Sequence, residues 1–363
     1  MTILLVVIIL VFLILVHELG HFTAAKIFGV RVEEFGIGFP PRALFLGKVG
    51  DTEYTLNWIP FGGFVRLFGE EAERGQHGRG SFIDAPRWKQ AVILVAGVTM
   101  NALIAYALFV AALSIGVPRV VDQLQPNELA QLYVSDVVLG SPANTAGIAA
   151  GDQVVAVHDQ NGATPDALTP SALVAFISSR GGQPVTVTYI HNQRQNTVTM
   201  VPANGVDTYN AGHPAVGIGL VLVATEALPV ASAVKEAFVS TQDAFIIVAQ
   251  GLWEIIDTAI HGAPDLSNVV GPVGLVSAVG DAAHSGLGML FETAAFISIN
   301  LAIVNLLPIP ALDGGRIFIL ALEALLRKSA PKLAVQVLNT VGVALIIILM
   351  VTVTYNDFAR LFA

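Results

Sequence analysis

Apolar positions along the chain fall into four long runs, at residues 2–28, 90–116, 286–326 and 333–353. Each is long enough for a helix across a hydrocarbon core of about 30 Å, which takes about 20 residues. The third run is interrupted by Asn300, Asn305, Pro308, Pro310, Asp313, Gly314 and Gly315, so it predicts a broken span of two half-helices. Residues 29–69 are punctuated by glycine and proline between strand-like stretches at 53–59 and 64–67. They predict β-hairpins that either dip into the membrane or form an exposed loop. A polar loop follows at 70–88, in which His77 reads as a solvated loop histidine, and the second span completes the first half of a transmembrane core, residues 1–116. Residues 117–202 have the mixed periodicity of an inserted α+β domain. There, 140–157 reads turn, short helix, turn, strand, followed by a helix near 170–179 and strands at 185–191 and 197–201. Residues 203–285 read as linker, with a possible short strand at 217–220, an amphipathic helix at 229–260 and a Gly/Pro-rich connection at 261–285. Residues 286–363 supply the second half of the core. The fold class predicted is a polytopic α-helical membrane protein of about four spans, with a membrane-associated β-hairpin region and one inserted α+β domain.

Composition agrees with the pattern. Apolar residues make up 54% of the chain and charged residues 12%, where about 25% charged is usual in soluble proteins, and mean hydropathy is +0.71. A net charge of −9 without a basic stripe excludes nucleic acid as a partner. No Lys or Arg precedes Lys26, so the first run lacks the positive start of a cleaved signal and reads as a retained helix. With no cysteine, any metal must be held by His, Asp or Glu, a donor set that favours zinc without excluding other divalent ions.

The first span carries His17-Glu18-Leu19-Gly20-His21. On a helix His17 and His21 lie one turn apart on one face, where two imidazoles take two positions of a tetrahedral zinc and Glu18 serves as general base toward a bound water. Two histidines and a glutamate are costly in an apolar span unless partnered. Asp313, in the broken span, is the natural third ligand, because its charge offsets the dication; the alternative is a carboxylate that caps the second half-helix. Asn101 is the only strongly polar residue of the second span and reads as a helix–helix hydrogen bond or a substrate contact.

Topology follows from the basic residues. Residues 26–90 hold nine Lys and Arg, residues 117–230 hold three (Arg119, Arg180, Arg194), and Arg327, Lys328 and Lys332 lie between the last two spans. The positive-inside rule places 29–87 and 327–332 in the cytoplasm and the inserted domain outside, with the active site opening toward the cytoplasm.

The HELGH pentapeptide, together with Asn305-Leu306-Leu307-Pro308-Ile309-Pro310-Ala311-Leu312-Asp313-Gly314-Gly315, resembles the site-2 protease family, and within it the bacterial regulator of sigma-E protease group. The stretch 36–69 is similar to that family's membrane re-entrant β region, 117–202 to a single PDZ domain, and Gly271-Pro272-Val273-Gly274 also fits. Val98 departs from the family's Ala-Gly-Pro at the start of the second span. The resemblance implies an intramembrane zinc endopeptidase of the bacterial inner membrane, making the second cut of regulated intramembrane proteolysis. It also implies zinc on His17, His21 and Asp313, Glu18 as catalytic base, and Asn300 and Asn305 on the substrate backbone. Implied partners are membrane-spanning proteins such as anti-sigma factors or signal-peptide remnants, in contact with the lipid bilayer; oligomeric state stays open. The PDZ-like domain either binds a new C-terminus or filters substrates by size. The alternative reading is an inactive membrane PDZ scaffold for C-terminal peptides, for which an intact Glu18 has no use.

Overall fold

The computed structural model describes residues 2–70, 77–121, 130–191, 194–206, 213–262, 269–328 and 331–361. The chain forms two compact units. One joins Met1–Ile115 to Leu228–Ala363, and the other is the insert Gly116–Ala227. Part of the polar loop read at 70–88, residues 71–76, lies outside the described residues.

The first unit opens with α1 (Thr2–Ile27), then β1 (Val32–Val49), β2 (Thr52–Leu67) and α2 (Arg87–Ile115). At 26 residues α1 is about 39 Å long, more than a hydrocarbon core requires. Small residues let α1 and α2 touch: a Cβ on Gly20 would stand 2.8 Å from the Ala96 carbonyl carbon. The expected hairpins are two long bent strands that pair antiparallel, Val49 opposite Thr52 and Val32 opposite Leu67. Residues 34–37 of β1 are flanked by residues 53–56 on one side and 63–66 on the other. Glu34 is buried there, and Arg66 at 2.8 Å, Arg42 at 3.3 Å and the Thr55 hydroxyl at 2.7 Å satisfy its carboxylate. Without these partners its burial would be prohibitive. The far end of the ribbon leaves Phe39, Leu44, Phe45, Leu46, Trp58 and Ile59 exposed.

The insert contains β3 (Val117–Val121), β4 (Ala130–Val137), α3 (Pro142–Thr145), β5 (Gln153–Asp159), α4 (Pro170–Ser178), β6 (Val185–His191), β7 (Arg194–Met200) and β8 (Ile218–Glu226). Both helices start as their sequences dictate, with proline in the first turn behind a capping hydroxyl: Ser141 accepts from the Asn144 amide and Thr169 from the Ala172 amide. The sheet order is β3-β8-β4-β5-β6-β7. Leu132, Val134, Val157, Leu173, Val185 and Val187 fill its core. This corrects the domain boundary: the unit ends at Ala227, not at 202, because β8 lies between β3 and β4. Local pattern hid this, since β8 is joined to the rest only by pairing with strands far away in sequence. Val117 pairs with Glu226, so the insert begins and ends on neighbouring strands.

The chain then returns to the first unit with α5 (Val230–Ile260), α6 (Pro272–Ser285), α7 (Leu287–Leu306), α8 (Asp313–Leu326) and α9 (Lys332–Leu361). Within the connection expected at 261–285, Pro272–Ser285 is instead helical. Pro272 occupies the first turn of α6, where its missing N–H costs nothing. The buried Asp357 of α9 accepts from the amides of Gly271, Val273 and Gly274 at 3.2, 3.1 and 2.9 Å. Among the described residues four helices are long and apolar enough to cross a membrane: Thr2–Ile27, Arg87–Ile115, Leu287–Leu306 and Leu333–Ala359. The third span breaks as expected, α7 ending at Leu306 and α8 restarting at Asp313. The glycine pair closes that break: a Cβ on Gly315 would stand 2.7 Å from the Ile309 carbonyl carbon, with no room to spare.

Candidate metal centre

His17 and His21 face inward from α1, 6% and 8% exposed, with their rings edge to face at 4.7 Å. Asp313, the first residue of α8, meets both, His17 across 296 positions of sequence. Its Oδ2 lies 3.0 Å from His17 Nε2 and 3.2 Å from His21 Nε2, and the two Nε2 atoms are 3.0 Å apart. Zinc–ligand bonds of about 2.0–2.1 Å set tetrahedral ligand atoms about 3.3 Å apart, so this triangle fits zinc after an expansion of a few tenths of an ångström. Three protein ligands also leave the fourth position that catalytic zinc keeps open. His17, His21 and Asp313 form the only such ligand group among the described residues.

Helix α2 builds the back of the site from three positions four residues apart, hence on one stripe. The Ile93 carbonyl accepts from His21 Nδ1 at 2.8 Å. Gly97 presents no side chain: a Cβ there would stand 2.7 Å from His17 Cε1 and 2.8 Å from its Nε2. Asn101, fully buried, brings its Nδ2 to 3.4 Å from His17 Nδ1. Asn101 thus makes the helix–helix hydrogen bond expected of it, and its partner on α1 is the ring of a metal-site histidine. The signal was present as a lone amide four residues after a glycine, but nothing local says which helix they face.

Glu18 points toward the β ribbon. Its Cγ would lie 3.5 Å from a Cβ on Gly63, and the Val65 amide reaches its carboxyl. Beyond Asp313 on α8, Arg316 pairs with Glu70, whose other oxygen accepts from the Leu67 amide at 3.0 Å. Neither Arg316 nor Glu70 stood out in the sequence. Of the two asparagines on α7, Asn300 is exposed and donates to the Phe296 carbonyl of its own helix at 3.0 Å. Asn305 is half-buried one residue before α7 ends.

A family model described as Peptidase family M50 matches residues 5–349. The chain belongs to that family. A Clostridium perfringens protein named a zinc metalloprotease is 37% identical over 95% of both chains. Zinc metalloprotease RasP of Geobacillus kaustophilus is 28% identical over 96% of both. Membrane metalloprotease ARASP of Arabidopsis thaliana is 29% identical over 95% of this chain and 76% of its own. A PDZ-domain structure from the SdrC-like protein of Listeria monocytogenes overlaps 27% of this chain and 92% of its own, at 22% identity and a TM-score of 0.21. This M50 peptidase is thus a membrane zinc metalloprotease, and His17, His21 and the half-buried Asp313 are its candidate metal ligands.

Proposed function

We propose that the enzyme hydrolyses a peptide bond within or beside the transmembrane segment of a membrane-anchored protein, as the second cut of regulated intramembrane proteolysis. The observation that carries this is the convergence within 3.2 Å of His17 and His21, on the transmembrane-length α1, with Asp313, the first residue of the half-helix α8. His17 lies about 22 Å along α1 from Thr2, within a hydrocarbon core about 30 Å thick. Zinc, when bound, polarises the scissile carbonyl and makes its water acidic.

The chain's own residues do the rest. His17, His21 and Asp313 hold the ion, and Asp313 balances part of its charge. Glu18, one residue from a ligand, takes the proton from the attacking water and hands it to the leaving amine. A helical peptide bond is closed to attack, so the substrate must unwind locally. By resemblance Asn300 and Asn305 would hold the freed backbone groups, and Gly63 and Val65 lie beside Glu18. The exposed apolar end of the ribbon supports its entry into the membrane. The count of basic residues supports a cytoplasmic active site and an extracytoplasmic insert in a bacterial inner membrane. The insert either captures a newly cut C-terminus by strand addition or filters substrates by the size of their outer domains.

The test is cleavage of a single-span model substrate in liposomes by wild type and Glu18→Gln, with zinc content measured in both. The variant should keep its zinc and lose about 10² to 10⁴ in rate. Equal cleavage would remove Glu18 from the chemistry.

A further inference from the structure

We propose that Asn101 positions the metal site by accepting the Nδ1 proton of His17, fixing that imidazole with its Nε2 lone pair toward the metal. The proposal rests on His17 being a ligand.

The two imidazoles are held differently. His21 Nδ1 faces the Ile93 carbonyl at 2.8 Å. A carbonyl only accepts, so the His21 proton sits on Nδ1 and its Nε2 is free for metal. His17 Nδ1 faces the Nδ2 arm of Asn101 at 3.4 Å, and its Nε2 faces Asp313 at 3.0 Å. That arrangement suits a His17 protonated on Nε2, with Nδ1 accepting from the amide. When Nε2 gives its lone pair to a metal, the proton must move to Nδ1, where an amide N–H would repel it. A half turn of the Asn101 amide brings Oδ1 there instead. The turn breaks no bond of Oδ1, which is buried and has no hydrogen-bond partner, and it exchanges the Nδ2 contact with His17 for one that Oδ1 accepts. The backbone around the amide stays put: the buried Ser298 hydroxyl donates to the Asn101 carbonyl at 2.8 Å and ties α2 to α7. An orphaned acceptor, next to the one ligand nitrogen that must change its proton, is what a site built for a metal ion would carry.

The experiment measures zinc affinity by chelator competition on the full chain in detergent, for wild type, Asn101→Leu, Asn101→Asp and His17→Ala. Asn101→Leu should weaken zinc by about 10- to 100-fold, the usual effect of losing such a partner. Asn101→Asp, which can accept but not donate, should stay within a few-fold of wild type. Wild-type affinity in Asn101→Leu overturns the proposal, as does an Asn101→Asp that falls as far as the leucine variant. Retained affinity in His17→Ala would instead overturn the ligand assignment. If Asn101→Leu does not fold, histidine ¹⁵N spectra of the zinc-loaded wild type decide. A proton on Nδ1 of both site imidazoles supports the proposal, and a proton on Nε2 of His17 overturns it.

Discussion

Arg316 of α8 is ion-paired with Glu70, the residue that caps the end of β2. Asp313 begins the helix that carries Arg316, and Gly63 and Val65 of β2 border Glu18. One salt bridge therefore fastens the helix of the acidic metal-site residue to the strand beside the candidate base. The two motifs of the site come from opposite ends of the chain, and this contact ties the segments that hold them.

Breaking that pair should loosen Asp313 without unfolding the protein. Arg316→Gln and Glu70→Gln are each expected to lower zinc affinity several-fold, and the exchanged pair Glu70→Arg/Arg316→Glu to recover part of the loss. A double-mutant cycle read by chelator competition should give a coupling of about 0.5–1 kcal/mol, at the low end for contacting residues because the arginine is partly exposed. Strict additivity would show that the two residues act apart.

Gly97→Ala adds one methyl to a helix that would otherwise welcome alanine. Here the methyl would meet the His17 ring, 2.7 Å from Cε1. Overpacking of this kind costs about 1–3 kcal/mol, so zinc affinity should fall about tenfold or more while α2 stays helical. Metal content and far-UV circular dichroism together check this; full zinc retention would mean the two helices separate freely.

Asp357 holds the first turn of α6 from the far end of the chain. Asp357→Ala leaves three amides without their acceptor in a buried setting, at about 1–3 kcal/mol. Hydrogen exchange in 272–285 should speed up by about tenfold or more, with α1 unchanged. Unaltered protection of α6 would mean its start is held by something else.

In the insert, Asp159 accepts from Arg180 Nε at 2.9 Å and from the amides of Asn161 and Ala163 at 2.9 Å each. These bonds, the arginine's first, hold its carboxyl below the usual carboxylate range. A lowered folded-state value means the charged form is favoured by folding. The stabilisation is then complete above the unfolded value of about 3.9 and fades as pH falls below it. Amide protection across β5 and α4, corrected for intrinsic exchange, should hold steady from neutral pH to about 5 and drop below about 4. Asp159→Asn should lack that acid-linked drop; an identical drop in the variant would assign it to another group.

Much of this architecture was legible in the sequence, because each legible part is a local property. Four apolar runs must be spans in any fold that contains them, since length against bilayer thickness leaves little choice. His17 and His21 share a face because helical geometry puts i and i+4 there. The break before Asp313 was written in Pro308, Pro310 and the paired glycines. By contrast, 217–220 looked like a short strand in a linker, and the segment after His261 like a plain connection. What makes them β8 and α6 lies elsewhere: strands β3 and β4 for one, Asp357 for the other.

The sequence alone determined which donor groups the membrane core holds, because two imidazoles and two carboxylates in apolar spans must be partnered and together suit a divalent cation. Only the tertiary structure decided how that chemistry is mounted. It set Asp313 against His17 from 296 positions away and turned Ile93, Gly97 and Asn101 toward the imidazoles. It also joined Arg316 to Glu70. Such pairings depend on which faces of separate helices meet. Within a membrane that is set by close packing of small residues across the interface rather than by any hydrophobic period along one helix.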